Sequence, residues 1–167
     1  MSKNKHAVKM LICGFEASGK TSTTAKIENA LIVNFDHKAY GHKVPHINSP
    51  KFTGTRDLVN TLNTKLGAYK EKFGKLPETV VFDTVTQLYT AMNKYANDKY
   101  KGFDVHSNLN KVTLDFNEYV EDTLIKNGVN VIIVAHTIYD QETSRHIIPA
   151  SGMFAKAGSW LTNKIAA

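Results

Sequence analysis

Gly14-Phe15-Glu16-Ala17-Ser18-Gly19-Lys20-Thr21 fits the pattern G-x-x-x-x-G-K-[ST] at every position. The two glycines let the backbone curl so that successive N–H groups point inward, as a bound phosphate requires. A helix starting at Lys20 would add its positive N-terminal end. The Lys20 ammonium can reach β- and γ-phosphates, and the Thr21 hydroxyl, followed by Ser22, is placed for a Mg²⁺ ion. From average composition, such a match arises by chance in on the order of 1 in 100 chains of this length. The match also follows a strand-like run and opens a helical one, the context the chemistry needs. A plain glycine turn is the weaker reading, and Gly14 to Ser22 is expected to cradle ATP or another NTP.

Working outward, Ala7 to Cys13 reads as a buried strand ending at the first glycine. Lys20 to Asn29 reads as a short helix and Ala30 to Phe35 as a second strand. The loop beyond carries His37, His42, Pro45, His46 and Pro50. Leu58, Leu62, Leu66, Tyr69 and Phe73 recur at three- and four-residue spacing, which makes an amphipathic helix stopped by Gly74 and Pro77. Thr79 to Asp83 is a third strand, with helix from about Val85 to Tyr95. A further helix runs over about Ser107 to Lys126 and ends at Asn127-Gly128. Val129 to Ala135 is a fourth, nearly all-apolar strand. Continuous apolar strands alternating with helices define an α/β fold with a mainly parallel central sheet covered on both faces.

Asp83 closes the run Thr79-Val80-Val81-Phe82-Asp83. Taken alone, an apolar run ending in aspartate suits a helix N-cap. At the C-terminal tip of a buried parallel strand, however, it faces the ligand crevice of the sheet. Downstream of a phosphate-binding loop, Asp83 is expected to hold Mg²⁺ through water beside the Thr21 hydroxyl, and capping by Asp83 or Thr84 is compatible with that role.

The composition sets outer bounds. A chain of 167 residues is expected to form one domain over 1–167, with 42% apolar and 22% charged residues in the ordinary globular range. No run approaches the ~18 apolar residues of a membrane span. The opening Met1 to His6 has no apolar segment of a secretory signal. The single cysteine, Cys13, permits no internal disulfide, so a cytoplasmic setting is expected and the thiol reads as a small buried apolar group. The net charge is +6, with Arg56 and Arg145 the only arginines. Lysine-rich surfaces attract nucleic acid by counterion release, or simply solvate helix faces.

At four segments the chain resembles the RecA-like P-loop ATPases, in particular the short RecA-core ATPases that bacteriophages use beside single-strand annealing proteins. Gly14 to Thr21 resembles their P-loop. Leu31 to Ala39 is similar to the strand that delivers a catalytic glutamate, with Asp36 at that position here, one methylene shorter. Val80-Val81-Phe82-Asp83-Thr84-Val85 resembles the Walker B strand, and Val131 to Thr137 the strand whose polar tip senses the γ-phosphate. The resemblance implies a three-layer P-loop NTPase fold and Mg²⁺-dependent ATP hydrolysis. It assigns catalytic roles to Lys20, Asp36, Asp83 and His136, Asp36 as base and His136 with Thr137 as sensor. It further implies action on single-stranded DNA in phage recombination or replication, in the host cytoplasm. A homo-oligomer with a shared nucleotide site follows too, Arg145, Lys156 and Lys164 being candidates for a cation supplied in trans. Ser151 to Trp160 falls where the family carries a DNA-binding loop. The chain stops at Ala167, where a RecA core would continue into further strands, so a fragment or trimmed core is expected.

Blander readings stand beside these. Asp36 could close a turn after a strand, and His136 and Thr137 could simply end one. His37, His42 and His46 lack the fixed spacing of a zinc site and suit a loop. Ser151 to Trp160 could pack as a terminal amphipathic helix. Two other functions compete: a P-loop small-molecule kinase, disfavoured by the scarcity of arginine for clamping phosphates, and a nucleotide-dependent binding module with little hydrolysis.

Overall fold

The computed structural model describes residues 7–15, 18–36, 41–142 and 144–147. Strands β1 (Lys9–Gly14), β2 (Ala30–Asn34), β3 (His46–Asn48), β4 (Thr79–Asp83) and β5 (Asn130–His136) form one sheet in the order β1-β5-β4-β2-β3. Every pairing in it is parallel. Parallel neighbours need crossovers, and helices lie on the connections from β1 to β2, β3 to β4 and β4 to β5. Helix α1 (Lys20–Thr24) follows β1, and α2 (Thr55–Phe73) joins β3 to β4. Helices α3 (Val85–Lys99) and α4 (Phe103–Glu118), with a π-helical continuation over Tyr119–Ile125, join β4 to β5. Beyond the sheet, β6 (Ile138–Asp140) and β7 (Arg145–Ile147) form an antiparallel pair.

Strand alternation divides the core. Leu31, Val33, Val80, Phe82, Val131, Ile133 and Ala135 face the main cluster with Leu62, Leu88, Met92, Phe116 and Leu124 from the helices. Their neighbours Ile32, Val81 and Val134 point the other way, onto Ile27 and Val44. Phe82 is wholly buried, with its ring 6.1 Å from Phe35 and edge-on to Phe116 at 5.2 Å. At the sheet margin Lys9 is buried and pairs with Glu121 of the π-helical turn at 2.6 Å, tying β1 to that segment.

The α/β class and the parallel sheet agree with the sequence reading; several boundaries do not. The first helix stops at Thr24 rather than Asn29. Thr23 and Thr24 turn their hydroxyls back onto the Gly19 and Thr21 carbonyls, and the N–H groups of Lys26 and Ile27 bond only three residues back. The histidine loop contains β3, in which His46 pairs with Ile32. The helix expected from Ser107 begins at Phe103, and its last turns widen, the Lys126 N–H bonding to Glu121 five residues back. Gly74 and Gly128 have φ of 77° and 81°, the left-handed conformation that ends a helix. Cys13 is exposed rather than buried. Among the described residues β1 is an outer strand, and its Leu11 and Ile12 are only half-covered, so a residue at its tip is left open.

Candidate nucleotide-binding site

In a parallel sheet all C-terminal strand tips open on one edge, where α/β proteins bind ligands. Here β5 lies between β1 and β4, so three tips stand in a row. Gly14 is paired with His136, and Asp83 with Val134 two residues before His136. The β2 tip continues the row, with Asn34 paired to Asp83.

Backbone bonds lock these tips together. The Thr137 N–H donates to the Gly14 carbonyl at 2.9 Å, and the Phe35 N–H to the Asp83 carbonyl at 2.8 Å. The His136 N–H donates to Thr86 Oγ1 at 3.0 Å, which fixes the β5 tip to the first turn of α3. That turn is capped by Thr84, whose hydroxyl accepts from the Gln87 N–H.

The loop after β1 is shaped by its glycines. A Cβ on Gly14 would stand 2.9 Å from Ser18 Oγ, closer than side chains tolerate, and Gly19 has φ of 86°. Lys20 is buried, with its ammonium donating to the Gly14 carbonyl at 3.0 Å, to the Phe15 carbonyl, and to Ser18 Oγ at 3.1 Å. Thr21 Oγ1 donates to Asp83 Oδ2 at 2.8 Å. Ser18 to Ser22 and His136 line a cleft of about 230 Å³.

Asp83 is itself buried, and that burial holds its carboxyl above the usual carboxylate range. The Thr21 hydrogen bond and the charges of His136 and Lys20 oppose the shift, while the nearby Asp36 carboxylate adds to it. His136 lines the cleft, and its Nδ1 is buried with no hydrogen-bond partner.

These features fit a nucleotide and its metal. A Cβ at Gly14 would force the Ser18 hydroxyl aside, Lys20 places a buried cation in the loop, and a hydroxyl and a carboxylate offer the hard oxygen ligands magnesium prefers. Helix α1 spans only five residues, so it contributes less dipole than a full helix and the loop N–H groups matter more.

The structure thus gathers Lys20, Thr21 and His136 at one cleft, with Asp83 buried behind Thr21 and bonded to it, and Asp36 exposed at the neighbouring tip. Glu16, Ala17 and His37 lie outside the described residues, as do Lys156, Lys164 and Ser151 to Trp160; Arg145 stands in β7. Sequence reasoning missed Thr86 and Asn34. The Asn34 amide is buried, donates to Asn48 Oδ1 at 2.9 Å and accepts the Asp36 N–H at 3.1 Å. A polar residue ending an otherwise apolar strand was the signal for Asn34; nothing local marked Thr86.

A parallel α/β sheet with a phosphate loop at the tip of one strand and a carboxylate bonded to that loop from another defines a P-loop nucleotide-binding domain. A family model described as an AAA domain matches residues 6–165, nearly the whole chain, and the protein belongs to that family of ATPase-type domains. No curated protein matches the chain significantly. No helix among the described residues is long and apolar enough to cross a membrane.

Proposed function

We propose that the protein binds a nucleoside triphosphate, ATP in the first instance, with Mg²⁺ and hydrolyses its terminal phosphoanhydride bond, in the manner of the RecA-like ATPases it resembles. The observation that supports this reading is the 2.8 Å bond between Thr21 and Asp83, which brings together the hydroxyl and the strand-tip carboxylate that would hold Mg²⁺, the carboxylate through water. Magnesium bound there would neutralise phosphate charge and polarise the bond to be cleaved. Lys20 supplies a buried positive charge within the same loop. Asp36 is the base that orients the attacking water, held at the tip of β2 by Asn34. His136, which lines the cleft, contacts the terminal phosphate and relays its presence through its N–H bond to Thr86 in α3.

Single-stranded DNA as the activating partner, in recombination or replication, and a nucleotide site shared between copies belong to the same reading. They are supported by the four-segment resemblance and by the lysine-rich +6 charge. Phosphate release from Mg·ATP, measured with and without single-stranded DNA and beside a panel of small phosphoryl acceptors, tests it. Release to water that DNA stimulates supports the ATPase. Transfer to an acceptor would point to a kinase, and tight binding without turnover to a nucleotide-dependent binding module.

A further inference from the structure

Away from the strand tips, a cleft of about 580 Å³ opens between α3 and the segment after β3. That volume lies in the range of built binding sites. Its walls are mainly apolar: Phe52, Ala91, Tyr95 and the methylene stems around them. Its rim carries Lys51, Lys94 and Lys99 against one carboxylate, Asp98, which Lys94 engages at 2.9 Å. An apolar trough with an excess of cations fits an occupant that is apolar at its centre and acidic at its edges.

The rings of the trough are already engaged. Phe52 packs edge-on against Tyr95 at 5.3 Å, and the Lys99 ammonium sits 5.3 Å from the Tyr95 centroid while donating to its hydroxyl at 3.0 Å. With Phe52 itself buried and set edge-on to Tyr95, the trough offers at most a single ring, short of the succession of open aromatic faces on which nucleic-acid bases stack. An aliphatic or aromatic side chain inserting from a peptide fits it better.

Charge also narrows the source. The segment 148–167 contains Lys156 and Lys164 and no acidic residue, and residues 1–6 and 37–40 likewise contain basic residues and no acidic one. A second copy of the chain brings a net +6 of its own. We propose that this cleft is a docking site for an acidic amphipathic segment of a different protein, with its apolar side chains between Phe52, Ala91 and Tyr95 and its carboxylates beside Lys51, Lys94 and Lys99. Because α3 starts beside Asp83 and carries Thr86 under His136, the occupant lies along the helix that borders the nucleotide cleft.

The test uses the full chain without nucleotide, so it is independent of whether ATP is hydrolysed. A fluorescent amphipathic peptide of Leu, Phe and Glu is titrated by anisotropy, beside the same peptide with Lys for Glu and a thymidine oligonucleotide. The acidic peptide should bind, with affinity falling as salt rises. Lys51→Glu with Lys94→Glu, both exposed positions, should weaken it about tenfold or more, and Ala91→Leu, which fills the trough, should do the same. Failure of the acidic peptide to bind the wild-type chain would overturn the proposal, as would equal binding of the basic peptide or wild-type affinity in the charge-reversed protein. Oligonucleotide binding that competes with the peptide and is lost in the same variants would reassign the cleft to nucleic acid.

Discussion

Thr21 Oγ1 donates a 2.8 Å hydrogen bond to Asp83 Oδ2, joining a loop and a strand tip 62 positions apart in sequence. In the nucleotide-free protein this bond offsets only part of what burial costs the carboxylate, because the Asp83 pKa stays raised. A carboxyl with a folded pKa above its unfolded value contributes stability that is present below the unfolded pKa and lost as pH rises through the folded one.

Asp83→Asn therefore should not lower the melting temperature of the nucleotide-free protein at neutral pH, and it should remove the decline in stability as pH rises past the Asp83 titration. Thermal melts across a pH series, without nucleotide or metal, check this. A variant several degrees less stable at neutral pH would show that the ionised carboxylate stabilises the empty fold. In turnover the same variant should lose much more than it loses in metal-free nucleotide binding; equal losses in both would make Asp83 a structural cap.

Asp36→Asn should keep ATP affinity within a few-fold while cutting turnover by about 10²-fold or more, the scale of a lost general base. Steady-state kinetics with direct measurement of affinity separates the two effects. Wild-type turnover would remove Asp36 from the chemistry.

Asn34 holds the Asp36 N–H, so Asn34→Ala should lower kcat with little change in KM and cost about 1 kcal/mol of stability through the lost part-buried hydrogen bonds to Asn48 and Asp36. Kinetics paired with urea unfolding reads both. Loss of stability with unchanged kcat would confine Asn34 to the fold.

Phe82 sits at the centre of the main core, one residue before Asp83, between Phe35 and Phe116. Phe82→Ala should destabilise the protein by about 3–5 kcal/mol, measured by urea unfolding. A cost below about 1 kcal/mol would mean that the site is supported from elsewhere than this aromatic stack.

The phosphate loop and the four apolar strands were legible because each is a local pattern of eight residues or fewer, carrying its own chemistry or periodicity. Strand β3 and the β6–β7 pair were not, since three residues such as His46-Ile47-Asn48 show no period to read. The early end of α1 came from threonine hydroxyls competing for helix carbonyls, a balance that composition alone does not decide. Cys13 was misread because its burial depends on where β1 stands in the sheet, and strand order is a tertiary fact. The candidate site divides the same way. Lys20, Thr21 and Asp83 announce themselves by spacing, whereas Thr86 matters through a partner 50 residues away, and Asn34 through one 14 residues away as well as through Asp36 two positions on.

The most direct test is calorimetric titration of Mg·ATP into the wild-type protein and into Lys20→Ala, with circular dichroism to establish that both are folded. Lys20 is the one buried cation in the phosphate loop, held by the Gly14 and Phe15 carbonyls and Ser18. The wild type should bind one nucleotide per chain with a dissociation constant of roughly 1 μM to 1 mM, and the folded variant should give no measurable heat. Unchanged affinity in folded Lys20→Ala would contradict a nucleotide site at this loop.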